Sequence, residues 1–216
     1  MFVAVPPNIF QNTPVSTAQI ETVLPEVYKN FSLAASTSTI PVVPFFSQFK
    51  DIASPTWQKV GCGVASLAMV INYFELDSVS VTTLLNRGIA SGAYLKNAGW
   101  IHQGLIDLSK KYELDGKSFD LSKLDSKAAL AAFEKNLKDG PVIASVHYKF
   151  EPTNPIPHLV VINAIENGIV YYNDPAAKTG GKTISTTDFL KSWKKKFIAI
   201  RPVQQVAKAT SLTLHI

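Results

Sequence analysis

The spacing of apolar residues changes part-way along the chain, from a helical period to an alternating one. Residues 62–75 carry apolar side chains at helical spacing on nearly every face, which predicts a buried central helix. Ser80 is a candidate N-cap and Gly88 a candidate helix end, while Asp125 or Ser126 opens a later helix. The predicted helices cover residues 62–75, 80–88, 101–114, 125–140 and 185–195.

Strand-like segments rich in Val, Ile and Tyr dominate the second half of the chain. The tripeptide Glu166-Asn167-Gly168 predicts a turn that makes a hairpin of two of these strands. Helices come first and a largely antiparallel sheet follows, so the predicted fold class is α+β. The predicted strands cover residues 141–148, 158–165, 168–174 and 196–201.

Length and composition predict one globular domain with an extension. The chain has 216 residues, of which 46% are hydrophobic and 17% are charged, and this is enough apolar material for a packed core. Residues 1–39 are rich in Pro, Ser, Thr and Ala and poor in charge, so we interpret them as an extension or linker, with a propeptide as the alternative. The domain is predicted over residues 40–203, followed by a tail at residues 204–216.

The positive charge of the chain is modest and does not predict a nucleic-acid partner. The net charge is +5, and much of it lies in Lys191–Phe197, which we interpret as a solvated helix end. Cys62 is the single cysteine, which excludes an intramolecular disulfide and a zinc finger. The N-terminus is a poor signal peptide and no apolar run is long enough to span a membrane, so a cytoplasmic location is the default and an extracellular one the alternative. We expect a monomer without cofactor or metal.

Cys62 stands between two glycines at the start of the predicted central helix, and two interpretations are open. A free cysteine is commonly a small buried hydrophobe. A thiol in the first helical turn can also act as a nucleophile, because the helix dipole favours the thiolate and the backbone N–H groups there can bind an oxyanion. Gly61 and Gly63 are expected to let the backbone turn sharply and a substrate approach closely.

A cysteine nucleophile needs a base, and the chain has four histidines. His158 follows a proline-rich loop and opens an apolar strand, which is a rigid but accessible position. A strand histidine that is half exposed for no functional reason is the alternative. His102, His147 and His215 are weaker candidates, since capping, strand packing or a place in the tail accounts for them equally well.

Asp174 ends the strand that follows the His158 strand, and the predicted hairpin brings the two residues to the same end of the sheet. Asp-Pro also ends strands for local reasons, so this interpretation depends on Cys62, His158 and Asp174 together. Gln48 and Gln58 both lie upstream of the cysteine, and the amide of either would suit an oxyanion, with a surface position as the alternative.

The segment Ala176–Thr183 ends like a phosphate-binding loop but does not fit one. The motif needs a glycine at position 176, where this chain has alanine, and the segment follows strands rather than opening a βαβ unit. We therefore expect Gly180 and Gly181 to form a hairpin or loop near the site.

The order and spacing of these motifs resemble those of a known family. The chain resembles the papain-like cysteine peptidases of the bacteriocin-processing type, and more closely the stand-alone peptidase family thirty-nine-like domains, over residues 40–202. The resemblance implies a papain-like fold, in which a central helix carrying the cysteine packs on an antiparallel sheet carrying the histidine and the aspartate. It rests on the segments VPFFSQ, CGVASLAMVINYF, GWIHQGLIDLSKKY, GPVIASVHY, HLVVINAI, YYNDP and DFLKSWKKKFIAI.

The resemblance also implies an activity, the hydrolysis of a peptide or protein substrate through a thioester. It assigns Cys62 as the nucleophile, His158 as the general base and acid, and Asp174 as the residue that orients the histidine. Gln48 would help to bind the oxyanion, and the segment Gly99–His102 matches the family without an assigned role. Two alternatives stay open: the same fold acting as an amidase or a transferase on another amide, such as a cell-wall peptide, and a non-catalytic peptide-binding module.

Overall fold

The computed structural model describes residues 40–74, 78–96 and 98–203. The predicted extension at residues 1–39 and the predicted tail at residues 204–216, with His215, lie outside the described residues. Their place in the domain organisation therefore stays a prediction.

The described residues form six α-helices and eight strands, with most of the helices before the main run of strands. The helices are α1 (Pro55–Gln58), α2 (Cys62–Phe74), α3 (Val81–Ala90), α4 (His102–Ser109), α5 (Ser126–Leu137) and α6 (Thr186–Ser192). The strands are β1 (Tyr94–Leu95), β2 (Gly99–Trp100), β3 (Leu114–Asp120), β4 (Val142–His147), β5 (Pro157–Glu166), β6 (Ile169–Asn173), β7 (Lys182–Ser185) and β8 (Trp193–Pro202). Two short 3-10 turns lie at Lys110–Tyr112 and Tyr148–Phe150.

Strands β3 to β8 form one sheet in the order β3-β8-β4-β5-β6-β7, in which every neighbouring pair is antiparallel. Strands β1 and β2 form a separate small hairpin. The predicted hairpin of β5 and β6 is present, and Asn167 and Gly168 at its turn have φ values of 51° and 77°. Helices packed with an antiparallel sheet confirm the predicted α+β class.

The two faces of the sheet are covered by different helices, because side chains alternate along each strand. Ile143 and Leu159 face one way and share a core cluster with the buried residues of α2, α3 and α4. Val142 and Val160 face the other way and pack with Phe133 of α5 and the buried residues of α6. Nine consecutive residues of α2 are buried, which confirms the predicted buried central helix.

The ends predicted for the helices at 80–88 and 101–114 are wrong, and packing explains the first. Helix α3 does not end at Gly88 but continues to Ala90. Gly88 is buried against the Trp100 ring, and a Cβ there would lie 2.6 Å from that ring, so only glycine fits without a shift. The helix predicted to reach Leu114 ends at Ser109, and after a 3-10 turn the chain enters β3. A glycine inside a helix can thus mark close contact rather than an end.

The last strand begins earlier than its apolar run suggests. Helix α6 ends at Ser192 and β8 begins with the buried Trp193, so Lys191–Phe197 is mostly strand and its prediction as a helix end is wrong. Lys195 has a φ of 55°, which interrupts the alternation of side chains between the two faces of the sheet. The apolar residues of β8 therefore do not follow a regular period of two, and the start of the strand cannot be recognised from the sequence pattern. Strands β1, β2, β3 and β7 have no predicted counterpart, because they are short or carry glycine and charged residues.

Candidate active site

Cys62 is the first residue of α2. Its backbone N–H therefore has no acceptor within the helix and lies at the positive end of the helix dipole, which favours an anion. One turn further on, the buried Ser66 hydroxyl donates to the carbonyl oxygen of Leu159 at 3.2 Å. This bond fixes the helix that carries the thiol against β5, one residue after His158.

His158 and Asp174 are hydrogen-bonded partners. His158 Nε2 lies 2.6 Å from Asp174 Oδ1, and the two side chains are only 4% and 15% exposed. The hairpin brings them together, since Asp174 directly follows Asn173, which pairs with Val161 of β5. The same carboxylate oxygen accepts the backbone N–H of Ala176 at 2.8 Å, and this second bond fixes the carboxylate.

The surroundings of His158 favour its charged form. Burial by itself lowers the pKa of His158, but hydrogen bonds to Asp174 and to Cys62 outweigh burial and raise that pKa from 6.5 to about 9. Tyr148 packs edge-on against the same ring, with 5.2 Å between the ring centroids. The structure thus places the Asp174 carboxylate against the His158 imidazole, in the cleft that Cys62 also lines.

The two candidate glutamines have different positions. Gln48 lines the cleft that contains the thiol, is 4% exposed, and donates from Nε2 to the carbonyl oxygen of Gln58 at 2.7 Å. Gln58 is not among the residues that line this cleft, and its own Nε2 donates to the carbonyl oxygens of Phe49 and Ile52 at 3.1 and 2.8 Å. Gln58 therefore braces the loop, and Gln48 is the glutamine that faces the site.

The segment that carries Gln48 is docked on the loop that follows Asp174. The Gln48 backbone N–H donates to the carbonyl oxygen of Pro175 at 2.9 Å. The buried Asn173 side chain donates to the carbonyl oxygen of Val43 at 3.1 Å. These bonds fix the glutamine and the aspartate relative to each other, although their residues lie far apart in the sequence, and no local sequence signal indicates them.

Gly180 and Gly181 belong to the loop between β6 and β7, as expected. The Gly181 N–H donates to Asn173 Oδ1 at 2.8 Å, and a Cβ on Gly180 would lie 2.8 Å from the Phe45 side chain. The glycine pair thus packs against Phe45 and Asn173.

Gly61 lies in the turn that leads into α2, as predicted, but both Gly61 and Gly63 serve packing rather than an open approach for substrate. Both are buried and neither has a positive φ. A Cβ on Gly63 would lie 2.5 Å from a ring atom of Trp100, and a Cβ on Gly61 would collide with Ile52. The glycines let these two side chains pack directly against the backbone on either side of Cys62.

Trp100 braces the turn that leads into Cys62. Its indole Nε1–H donates to the carbonyl oxygen of Val60 at 2.6 Å, while its ring packs on Gly63 of α2 and Gly88 of α3. In the sequence, Trp100 belongs to the segment Gly99–His102, which resembles the family but has no assigned role. Its role depends on contacts with residues 12 to 40 positions away in the chain, which the sequence pattern does not reveal.

His102 lines the same cleft as Cys62 but is held by hydroxyl groups. Its Nδ1 lies 2.9 Å from Ser118 Oγ and its Nε2 lies 3.2 Å from Ser145 Oγ. Burial, and then the nearby charge of Lys196, lower the pKa of His102 below 6.5. Near neutral pH this imidazole is therefore uncharged.

The cleft beside the thiol has a volume of about 550 Å³. The segments at residues 50–59, 88–99 and 149–157 each contribute lining residues, among them Lys59, Tyr94 and Ile156. His147 donates from Nδ1 to the carbonyl oxygen of Asn154 at 2.7 Å, and so braces the loop that carries Ile156 rather than facing the thiol.

The described ranges hold no group of three or more His, Cys, Asp or Glu side chains that could bind a metal ion. In the same ranges, none of the helices is both long and apolar enough to cross a bilayer. The side chains described at this site include a thiol, two imidazoles, a carboxylate and an amide.

Comparison with known proteins shows the family and the fold of this chain. A family model described as Peptidase_C39 like family matches residues 40–199, which is most of the chain. The chain belongs to the Peptidase_C39 like family. Membership places it in a family of cysteine peptidases.

Solved structures of C39 peptidase domains share the fold of this family member. A double glycine motif protease from an AMS/PCAT transporter, in complex with its leader peptide, has a TM-score of 0.51 at 21% identity over 77% of this chain and 96% of its own. A C39-like peptidase from Bacillus anthracis has a TM-score of 0.54 at 22% identity over 74% and 94%. The peptidase domain of Streptococcus ComA, a bi-functional ABC transporter involved in quorum sensing, has a TM-score of 0.52 at 20% identity over 67% and 93%. The predicted papain-like peptidase fold is confirmed.

One curated relative of this C39-like chain is YvpB of Bacillus subtilis (strain 168), whose name calls it an uncharacterized protein. The two are 28% identical, and the match covers 62% of this chain. The chain spans 65% of the length of YvpB.

Proposed function

We propose that this protein is a cysteine peptidase in which Cys62, His158 and Asp174 act as a catalytic triad on a peptide or protein substrate. The observation that carries the proposal is the shared imidazole. Asp174 lies 2.6 Å from its Nε2, and Cys62, which lines the same cleft, also raises the pKa of this ring. Membership of a cysteine peptidase family supports the same chemistry.

The raised pKa of His158 sets the resting state of the pair. Because that pKa is about 9, His158 is protonated at neutral pH and stabilises the Cys62 thiolate. The sulfur attacks the carbonyl carbon of the substrate, the C–N bond breaks, and His158 gives its proton to the leaving amine. A water molecule that loses a proton to His158 then hydrolyses the thioester and releases the acid and the thiolate.

The oxyanion formed during the attack would take two donors, the backbone N–H of Cys62 and the side-chain amide of Gln48. Gln48 Nε2 carries two hydrogens, and the bond to the Gln58 carbonyl uses one, which leaves the other for the cleft. Trp100 is a positioning residue, because its bond to the Val60 carbonyl holds the turn that directs the Cys62 N–H.

Digestion of a defined peptide mixture by the full chain, read by mass spectrometry, tests this proposal. We expect cleavage that is absent in Cys62→Ala and about 10³- to 10⁴-fold slower in Asp174→Ala. Asp107→Asn is the matched control, because it changes an exposed carboxylate that pairs with Lys110 on the protein surface. If the wild type cuts no peptide, or if Cys62→Ala cuts equally well, the proposal is wrong.

A further inference from the structure

The cleft beside Cys62 has a cationic lining. Apart from its histidines, the charged residues that line it are Lys59 and Lys96, and no Asp or Glu is among the lining residues. Within the part of the chain that the structure describes, neither ammonium group has a hydrogen-bond or ion-pair partner. Both lysines therefore belong to the cleft lining, and neither is paired with a carboxylate of the described residues.

Three other lysines show the contrast. Lys110, Lys191 and Lys196 have their Nζ atoms 2.8, 2.8 and 2.9 Å from carboxylate oxygens of neighbouring aspartates. These pairs lie outside the cleft. The lysines of the cleft lining, by contrast, have no ion-pair partner among the described residues, so they are available to pair with a carboxylate of a bound peptide.

Both cleft lysines sit on elements attached to the helix of the thiol. Lys59 lies in the turn between α1 and α2, three residues before Cys62. Lys96 follows β1, and the β1–β2 hairpin is anchored by Trp100, which packs on Gly63. The two lysines therefore line the same cleft as Cys62 rather than a remote surface.

Apolar side chains at the cleft complete its chemistry. Phe49 and Ile156 are 45% and 55% exposed, and both line the cleft. An exposed apolar residue is ordinary anywhere on a surface, but here two of them line the cleft that holds the lysines. A bound chain would cover them, and it would gain apolar contact together with charge pairing.

We infer that this cleft selects peptides that carry an acidic side chain, in an apolar context, close to the bond that Cys62 would cut. Cleavage by Cys62 rests on the proposed function, whereas the preference of the cleft for negative charge is measurable without turnover. Because exposed ion pairs contribute modestly, removal of both lysines should reduce this preference about tenfold, and high salt should reduce it further.

The first test compares two small alkylating probes of nearly equal size, iodoacetate and iodoacetamide, of which only the first is charged. The ratio of their rates at Cys62 reports the local potential, and the contribution of His158 to it is the same in all the variants. In the double variant Lys59→Gln/Lys96→Gln we expect the ratio to fall about tenfold at low ionic strength. In 1 M salt, where the Debye length is about 3 Å, the difference should nearly vanish.

The matched control is Lys127→Gln/Lys135→Gln, which removes two exposed lysines from α5, a helix on the opposite face of the sheet. It has the same change in net charge and should keep the wild-type ratio. If both double variants lower the ratio equally, net charge explains the effect and the inference is overturned. A ratio that does not change in Lys59→Gln/Lys96→Gln overturns it as well.

A second test measures binding to the full-length Cys62→Ala variant, so that it does not depend on catalysis. Three fluorescent peptides of one apolar sequence carry Glu, Gln or Lys at the same position, and anisotropy gives their affinities. We expect the affinity to decrease from the Glu peptide through the Gln peptide to the Lys peptide. When Lys59 and Lys96 are also replaced by Gln, the three affinities should become nearly equal. Peptide cleavage without this order overturns the inference and leaves the peptidase intact. The order without any cleavage overturns the peptidase and leaves the charge preference.

Discussion

Two histidines line the same cleft, and their surroundings give them opposite properties. His158 has a carboxylate and the thiol as partners, and its pKa rises to about 9 although it is almost completely buried. His102 has two serine hydroxyls as partners, and burial and Lys196 lower its pKa. The comparison teaches that the charge of the hydrogen-bond partner, rather than depth of burial, decides which histidine can form an ion pair with the thiolate.

The difference extends to the segments that carry the two residues. His158 lies at the start of β5 and is held by Asp174, which directly follows β6, so under the proposed function its region supplies the reacting groups. His102 follows Trp100, whose indole braces the turn before Cys62, so that region supplies support. Substitutions in one of these two regions can therefore be compared with substitutions in the other.

The largest expected effect is the loss of catalysis when His158 is replaced. Removing its imidazole removes both the thiolate's counter-ion and the acid for the leaving amine, so His158→Ala should lower kcat/KM for a cleaved peptide about 10⁴-fold. His102→Ala removes only contacts to hydroxyl groups and should lower it less than about tenfold. Similar losses in the two variants would contradict the division into a reacting and a supporting region.

Opposite pH dependences of stability come next. The pKa of His158 is higher in the folded state, so its contribution is fully present below about pH 6.5 and is lost as pH rises towards 9, by up to about 3 kcal/mol. The pKa of His102 is lower in the folded state, so the cost of keeping that residue neutral appears as pH falls below 6.5.

Denaturant unfolding across this pH range checks both signs. The stability difference between wild type and His158→Gln should shrink from pH 6.5 to 9, while that between wild type and His102→Gln should change on the acid side. Two differences that stay constant with pH would show that neither histidine changes its proton affinity on folding.

A smaller effect is expected from Gly63→Ala, which forces a methyl group against the Trp100 ring at 2.5 Å. We expect a loss of about 2 kcal/mol in the free energy of unfolding, because the packed ring has to move. In a Trp100→Ala background the same change should cost nearly nothing, and this double-mutant cycle isolates the contact. An equal cost in both backgrounds would place the strain elsewhere.

The smallest effect is expected from Trp100→Phe, which keeps an aromatic ring but removes the donor to the Val60 carbonyl. If that bond directs the Cys62 N–H, kcat should fall about tenfold with little change in KM. Trp57→Phe is the matched control, since Trp57 touches Tyr94 of the same aromatic cluster. Equal kcat values for the two variants would remove Trp100 from the positioning residues.

How much of this site the sequence predicts depends on how local its determinants are. The turn at Asn167 and Gly168 predicts the hairpin, and the hairpin juxtaposes His158 and Asp174, as the structure shows. The cysteine at a helix start is equally local. These parts follow from residues near one another in the sequence.

The remaining parts depend on long-range packing. Gly63 reads as a flexible residue, whereas the Trp100 ring explains its lack of a side chain. Strand β3 contains Gly116 among charged residues, and only its pairing with β8 makes it a strand. The bond from the Gln48 backbone to Pro175 has no sequence signal, because its two residues are brought together by the finished fold.

The most direct test of the central claim is the pH profile of Cys62 alkylation by iodoacetamide, in wild type and in His158→Ala. A thiolate–imidazolium pair predicts fast labelling that persists near pH 6 in wild type and is lost there in the variant, while His102→Ala keeps it. Slow labelling that rises only in the alkaline range, and does so equally in wild type and His158→Ala, would contradict the account.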